Sequence, residues 1–280
     1  LWANPSSVHR MGQDARHAME LARASCAGLI GAKPKHITFT SGGTESLDLA
    51  IRGVLASTGR RVVVSSAVEH AAVRELLDVL VKEGRIERRL LPLDVAGVVK
   101  IGAINGEIDE SVAVCVVQWA NNETGVVQPV RAIGVRAREV GAAMVCDGTQ
   151  WVGKMPTEIG ETGDGWCDVL TFSPHKFHGP KGVGVMWARS GVRMRPMIHG
   201  SQEQGRRGGT ENVAGIIGAG AACGIASVWL REEGQRRALG ALRDRFERAV
   251  VSACAGAVVN GSSGERLWNT TNIAFPRLEA

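Results

Sequence analysis

Val112–Gln118 reads Val-Ala-Val-Cys-Val-Val-Gln, six apolar residues in a row with no polar face. A strand of this kind is buried on both sides, a condition met in a mostly parallel sheet covered by helices on both faces. Comparable runs recur along the chain, and His36–Thr40, Arg61–Ser65, Ile86–Leu91, Ala142–Cys146, Asp168–Phe172 and Val183–Trp187 read as further strands. Arg10–Ile30, Thr44–Leu55, Val68–Lys82 and Val130–Val140 read as helices between them. In the first of these Ala15, Met19, Ala22 and Cys26 recur at helical spacing, and Gly31 suits the stop. The expected fold is α/β, a mostly parallel seven-stranded type of sheet sandwiched by helices over residues 1–230. A long helical stretch from Val213 to about Ser252 leads out of it. Residues 231–280 are expected to be a linker helix and the beginning of a small C-terminal α/β domain, with strands near Ala257–Val259 and Thr271–Phe275.

Composition narrows the classes of function. Hydrophobic residues make up 44% and charged residues 22%, a globular rather than a disordered balance. The net charge of +5 comes without a Lys/Arg block, so no nucleic-acid partner is expected. None of the six cysteines forms a C-x-x-C pair, which speaks against a zinc ribbon or a thioredoxin-like couple. Cys115 and Cys146 lie in apolar runs as small hydrophobes, and this usage suits a reducing, cytoplasmic location. Val213–Leu230 carries no charge and approaches the length of a membrane span. It is rich in Gly and Ala, however, and Arg231-Glu232-Glu233 follows at once, so a buried helix is expected and no membrane. The chain starts at Leu1 and stops soon after a strand-like run, and is expected to be a piece of a longer product.

In a doubly covered sheet, ligands sit beyond the carboxyl ends of the strands. The polar clusters of this sequence fall at those places, after the strands ending at Thr40, Gln118, Cys146 and Phe172. In Thr40-Ser41-Gly42-Gly43-Thr44 the glycines allow close approach of the backbone, and Thr44 offers a hydroxyl and an N–H at a helix start, which is an anion site. The loop Thr171–Gly182 carries Lys176, whose amine, if neutralised by burial, is a nucleophile for a carbonyl. Ser173 and His175 can donate to the same anion as Thr44. Asp147 stands at the end of an apolar strand, where an acid is costly unless paired. The protonated pyridine nitrogen of pyridoxal 5′-phosphate is such a partner, and a helix N-cap is the rival role. His70, just past a strand, could stack on a flat ring and move protons, or serve only structure. An Asn amide of Asn121-Asn122 could reach an oxygen on that ring. Gly148 to Lys154 spells G-x-x-x-x-G-K, but Met155 replaces the magnesium-binding Ser/Thr of a phosphate loop, which disfavours an NTPase. His175 and His178 lack the H-E-x-x-H context of a metal site.

Further strings complete a pattern: Asn4-Pro5-Ser6-Ser7-Val8-His9, Val68-Glu69-His70, Ala120-Asn121-Asn122-Glu123, Asp147-Gly148-Thr149-Gln150, Ser173-Pro174-His175-Lys176, Arg207-Gly208-Gly209-Thr210-Glu211-Asn212 and Asn272-Ile273-Ala274-Phe275-Pro276. In this order they resemble the cysteine desulfurases, within the class V aminotransferase group of fold type I pyridoxal-phosphate enzymes. The resemblance implies that Lys176 holds the cofactor covalently and that His70 stacks on its ring and shares in proton transfer. It implies Asp147 at the pyridine nitrogen, Asn122 and Gln150 at the 3-oxygen, and Gly43, Thr44, Ser173 and His175 around the phosphate. Thr210 would reach the phosphate of a neighbouring subunit's cofactor in a homodimer. L-cysteine would become L-alanine, its sulfur passing to an enzyme cysteine as a persulfide and on to a sulfur-acceptor protein for iron–sulfur or other pathways. None of the six cysteines sits in the family's motif. The catalytic cysteine and the substrate-carboxylate arginine are expected beyond Ala280. Selenocysteine lyase, aminotransferase or a degenerate scaffold homologue are the alternatives.

Overall fold

The computed structural model describes residues 2–159 and 165–276. Seven strands form one sheet: β1 (Ile37–Thr40), β2 (Val62–Ser66), β3 (Glu87–Leu91), β4 (Val112–Gln118), β5 (Ala143–Asp147), β6 (Val169–Phe172) and β7 (Gly184–Ala188). Their order across the sheet is β1-β7-β6-β5-β4-β2-β3. β7 runs antiparallel to both β1 and β6, and the remaining pairings are parallel. Every residue of β4 is buried, as its unbroken apolar run demands. β3 closes one edge with the charged residues Glu87, Arg88 and Arg89, which blunt it against pairing with another chain.

The helices are α1 (Arg10–Leu29), α2 (Gly43–Leu55), α3 (Ala71–Lys82), a single turn α4 (Ile104–Glu107), α5 (Val130–Glu139), α6 (Val213–Trp229) and α7 (Glu233–Ala253). Side chains alternate across the pleat, so each strand feeds two cores. Cys115 and Val117 of β4 join Cys26 of α1, Ile133 of α5 and Ile216 of α6 on one face. Val114 and Val116 join Leu47 and Ile51 of α2 and Leu77 of α3 on the other. The small residues of α6 let it press against α1: a Cβ on Gly220 would stand 2.6 Å from the Cβ of Ala22. That close packing accounts for the uncharged Gly/Ala run. Among the described residues no single helix is long and apolar enough to cross a membrane.

The helical stretch expected from Val213 to Ser252 is two helices, meeting at a bend of 88°. Arg236 holds the break: its guanidinium donates to the Leu230 carbonyl at 2.5 Å and lies over the Trp229 ring, 5.7 Å from its centroid. Gly234, the second residue of α7, stands just past the bend and is the one local signal of it. Beyond α7 the strands β8 (Val258–Val259) and β9 (Ile273–Ala274) pair antiparallel as a separate small sheet.

Candidate active site

A cavity of about 210 Å³ opens at the carboxyl edge of the sheet. Gly43, Thr44, His70, Asn122, Asp147, Gln150, Ser173, His175 and Lys176 all border it, so nine of the ten residues singled out from sequence share one crevice. They arrive from five different connections, which only the sheet brings together. Thr210 does not border it.

Asp147 ends β5 and is 6% exposed. Its Oδ1 accepts from Thr149 N at 2.9 Å, in a buried turn and not as the N-cap of a helix. Burial pushes its carboxyl above the ordinary value, while the Thr149 hydrogen bonds and the positive charges of His70 and Lys176 pull it back. Among the described residues no cation stands within ion-pair distance of it. Lys176 comes from the connection after the adjacent strand β6, on one tight helical turn, Pro174–Phe177, before β7. Lys176 N bonds Ser173 O at 3.0 Å, and His178 ends the turn in the left-handed region at φ 71°, a conformation few non-glycine residues adopt.

His70 has the structural role considered for it: it caps α3, with Nδ1 accepting from Ala72 N at 3.1 Å, and it also borders the crevice. That acceptor bond leaves the other ring nitrogen, Nε2, to carry the proton. The loop holding it is tied down by Glu69, which sequence reading passed over although it adjoins His70. Glu69 is buried, with Oε1 2.5 Å from Ser66 Oγ and Oε2 accepting from Gln118 N at 2.7 Å. Burial pushes its carboxyl up to about 8, despite these bonds. The Gln118 amide returns the tie by donating to the Val68 carbonyl.

The two neighbouring asparagines are separated by their bonds. Asn121 spends its side chain on the turn: Oδ1 accepts from Glu123 N and Thr124 N, both at 2.9 Å, and Nδ2 donates to Val68 O at 3.0 Å. Asn122 is the one that borders the cavity.

The anion-binding end is built where α2 begins. A Cβ at position 43 would lie 2.7 Å from Ser173 Oγ and 3.3 Å from Thr149 Oγ1, so glycine there opens a notch lined by hydroxyls. The helix N-terminus adds its unpaired N–H groups. Burial and the charges of Lys176 and Lys181 hold His175 below the ordinary imidazole value. Glu45 accepts from Ser41 N at 2.8 Å and also receives Arg207 Nε at 2.7 Å. Arg207 belongs to the segment that carries Thr210. The same segment is fixed again by Glu203, which takes a two-pronged bond from Arg23 at 2.8 Å and accepts from Phe39 N. Thr210 is therefore exposed on a firmly held loop.

Cys26, Cys115, Cys146, Cys167 and Cys223 are buried, and Cys254 is exposed. Burial pushes the Cys115 thiol up to about 12 and raises those of Cys146 and Cys167, so these are poor thiolates. None of them borders the crevice.

An amine able to add to a carbonyl, an acid at the base of the cavity without a cationic partner and a notch of hydroxyls and N–H groups together fit a flat, phosphorylated aldehyde with a basic ring nitrogen. The family description "Aminotransferase class-V" matches residues 1–279. A cysteine desulfurase of Bradyrhizobium diazoefficiens is 43% identical over 281 residues, covering 99% of this chain and 70% of the relative. A solved structure titled "NifS-like protein" superposes with a TM-score of 0.91 at 35% identity, covering 99% of this chain and 75% of the other. Another, titled "SspA in complex with cysteine", gives a TM-score of 0.84 at 29% identity, covering 98% and 76%.

Proposed function

The chain belongs to the class-V aminotransferase family, and from that premise we propose that it is a pyridoxal-phosphate-dependent cysteine desulfurase whose crevice holds the cofactor on Lys176. The observation that carries this is the placing of Lys176 and Asp147 on the same small cavity, with the hydroxyl notch at its side. The substrate is L-cysteine, supported by the cysteine desulfurase relatives and by the neighbour solved with cysteine.

Pyridoxal phosphate, when bound, supplies an electron sink for negative charge developing at the substrate α-carbon. The protein's own groups do the rest. Lys176 would hold the cofactor through Nζ, and the same amine would serve as the base that moves the proton at the substrate α-carbon. His70, which borders the crevice, would face the ring and could share in that transfer through Nε2. Asp147 keeps a proton on the ring nitrogen, and that cation is the partner its buried carboxylate lacks. Asn122 and Gln150 hold the ring oxygen. Gly43, Thr44, Ser173 and His175 hold the phosphate. A thiolate of the enzyme would then attack the substrate sulfur: the sulfur–sulfur bond forms as the carbon–sulfur bond breaks, the electron pair of that bond stays with the carbon side, where a proton is taken up, and alanine leaves. No cysteine borders the crevice among the described residues, so that thiol must be brought to it.

Thr210 completes the phosphate site of a second copy in a homodimer, a reading supported by its exposed position on a loop pinned at Glu45 and Glu203. A sulfur-acceptor protein takes the persulfide onward. The unpaired cysteines support a reducing, cytoplasmic setting. Residues 1–230 form the cofactor domain, and residues 231–280 a linker helix and the start of a smaller one, as the bend after α6 and the separate β8–β9 pair support.

The test is direct. Mixed with pyridoxal phosphate the protein is expected to turn yellow, and borohydride to fix the label on Lys176, found by peptide mass. The complete gene product, given cysteine, is expected to release alanine and sulfide in equal amounts under a reductant. Transfer of the amino group to a keto acid without sulfide rejects desulfuration in favour of transamination.

A further inference from the structure

The string Gly148-Thr149-Gln150-Trp151-Val152-Gly153-Lys154 has the spacing of a phosphate loop, yet each of its fixed residues has another task here. A Cβ on Gly148 would meet Leu170 Cδ1 at 2.8 Å. Gly153, at φ 78°, lies flat against Phe177, whose ring a side chain at 153 would overlap. The two glycines let the turn press against the segment that carries Lys176. Lys154 then points inward. It is only 8% exposed, and its main chain is fixed by Lys154 N to Trp151 O at 3.0 Å and by Trp268 Nε1 donating to Lys154 O at 3.1 Å. Its amine donates to Gln150 Oε1 at 2.6 Å. Among the described residues no carboxylate stands within ion-pair distance of it. A lysine buried without an acid is costly, and burial together with the charge of Lys176 holds its amine down at about 8.

An ammonium group has donors only. The end of the Gln150 amide that faces it must be the oxygen, which leaves the amide N–H₂ for the crevice that Gln150 borders. We propose that Lys154 is a positioning residue for the cofactor: by taking the Gln150 oxygen it fixes Gln150 as a hydrogen-bond donor toward the oxygen on the cofactor ring. This rests on the assignment of the crevice to pyridoxal phosphate. The consequence is chemical. A reversed amide would present a carbonyl oxygen to a ring oxygen that carries negative charge, and the contact would repel. Lys154 selects the sign of that contact without touching the cofactor.

The experiment uses the loaded protein, titrated by absorbance, with Lys154→Met, Lys154→Arg, Gln150→Ala and the double variant K154M/Q150A. A donor to the ring oxygen favours the deprotonated form of the lysine-bound chromophore, in which that oxygen bears its charge without sharing a proton. K154M is expected to raise the titration midpoint by about one unit, a tenfold change in proton affinity. K154R is expected to restore it, and K154M to add nothing once Gln150 is alanine. In the cofactor-free protein, the Gln150 side-chain amide resonances are expected to collapse to the pattern of a free amide in K154M. Lys154→Gln, whose amide no longer dictates which end Gln150 presents, is expected to move the midpoint in the same direction and stands in if K154M does not fold. An unmoved midpoint, or a shift that persists in the Q150A background with unaltered amide resonances, overturns the role of Lys154 while leaving the cofactor on Lys176. Absence of any chromophore that borohydride can fix overturns the cofactor assignment, and this inference with it.

Discussion

Asp147 and Asp168 lie on adjacent strands, at opposite ends of the sheet, and each is 6% exposed. Their surroundings differ. Asp168 precedes β6 and is satisfied within the chain: Oδ2 accepts from Met144 N at 2.8 Å, and Oδ1 takes the fork of Arg189, with Nε at 2.8 Å. Its main chain is bonded to Met144 and Arg189 as well. Asp147 has the Thr149 N–H and, among the described residues, no cation. A buried charge that the protein has finished pairing supports the fold, and one left open on the lining of a cavity is poised for a ligand. Burial alone does not tell the two apart. The inventory of partners does.

The hardest test of that contrast lies at the amine that shares the cavity with Asp147. Lys176→Ala is expected to abolish the borohydride-fixed label and to lower turnover of cysteine by at least about 10³-fold, followed by alanine release. Glu69 is a third buried carboxylate and sharpens the comparison through pH. Its folded-state value, about 8, lies above the ordinary 4.5. The folded chain therefore holds this proton more tightly than the unfolded one, and stability is expected to fall as pH rises from about 4.5 to about 8. Glu69→Gln is expected to flatten the melting temperature of the cofactor-free protein over that range, removing a pH-dependent difference in stability of up to about 5 kcal/mol. Asp147→Asn is expected to slow turnover about a hundredfold while the cofactor-free protein melts no lower, because an unpaired buried charge has been removed. Asp168→Asn is expected to do the reverse, costing about 2 kcal/mol in a denaturant titration and leaving the chromophore on Lys176 intact. If the two asparagine variants behaved alike, the distinction between finished and open charges would fail.

The strands, and the polar clusters at their ends, were legible because apolar runs and Gly-rich turns are local signals. What was not legible depends on contacts far apart in sequence. Asn121 and Asn122 are identical side chains, and composition alone cannot separate them; the resemblance to a family picked Asn122, and the bonds of Asn121 to Glu123 N, Thr124 N and Val68 O are the physical reason. Glu69 looks like any helix-start acid until β4 is laid against it. Lys154 read as a letter of a phosphate loop, since the packing of Gly153 on Phe177 has no counterpart in spacing. The break after α6 is marked locally only by Gly234, which a continuing helix can tolerate, and Arg236, two residues on, holds the bend.

The reversal of β7 against β6 shapes how the enzyme can move. Two parallel strands would need a long crossover between them, with the lysine adrift on it. Antiparallel neighbours need no crossover, so Lys176 stands on an eleven-residue connection anchored at both ends to the sheet and tightened by its own turn, with Gly179 N bonded to Pro174 O. Its backbone has almost nowhere to travel, and every excursion of the amine must come from rotation about the bonds of its own side chain. The sheet thereby turns a flexible residue into a swing arm of fixed pivot and fixed radius.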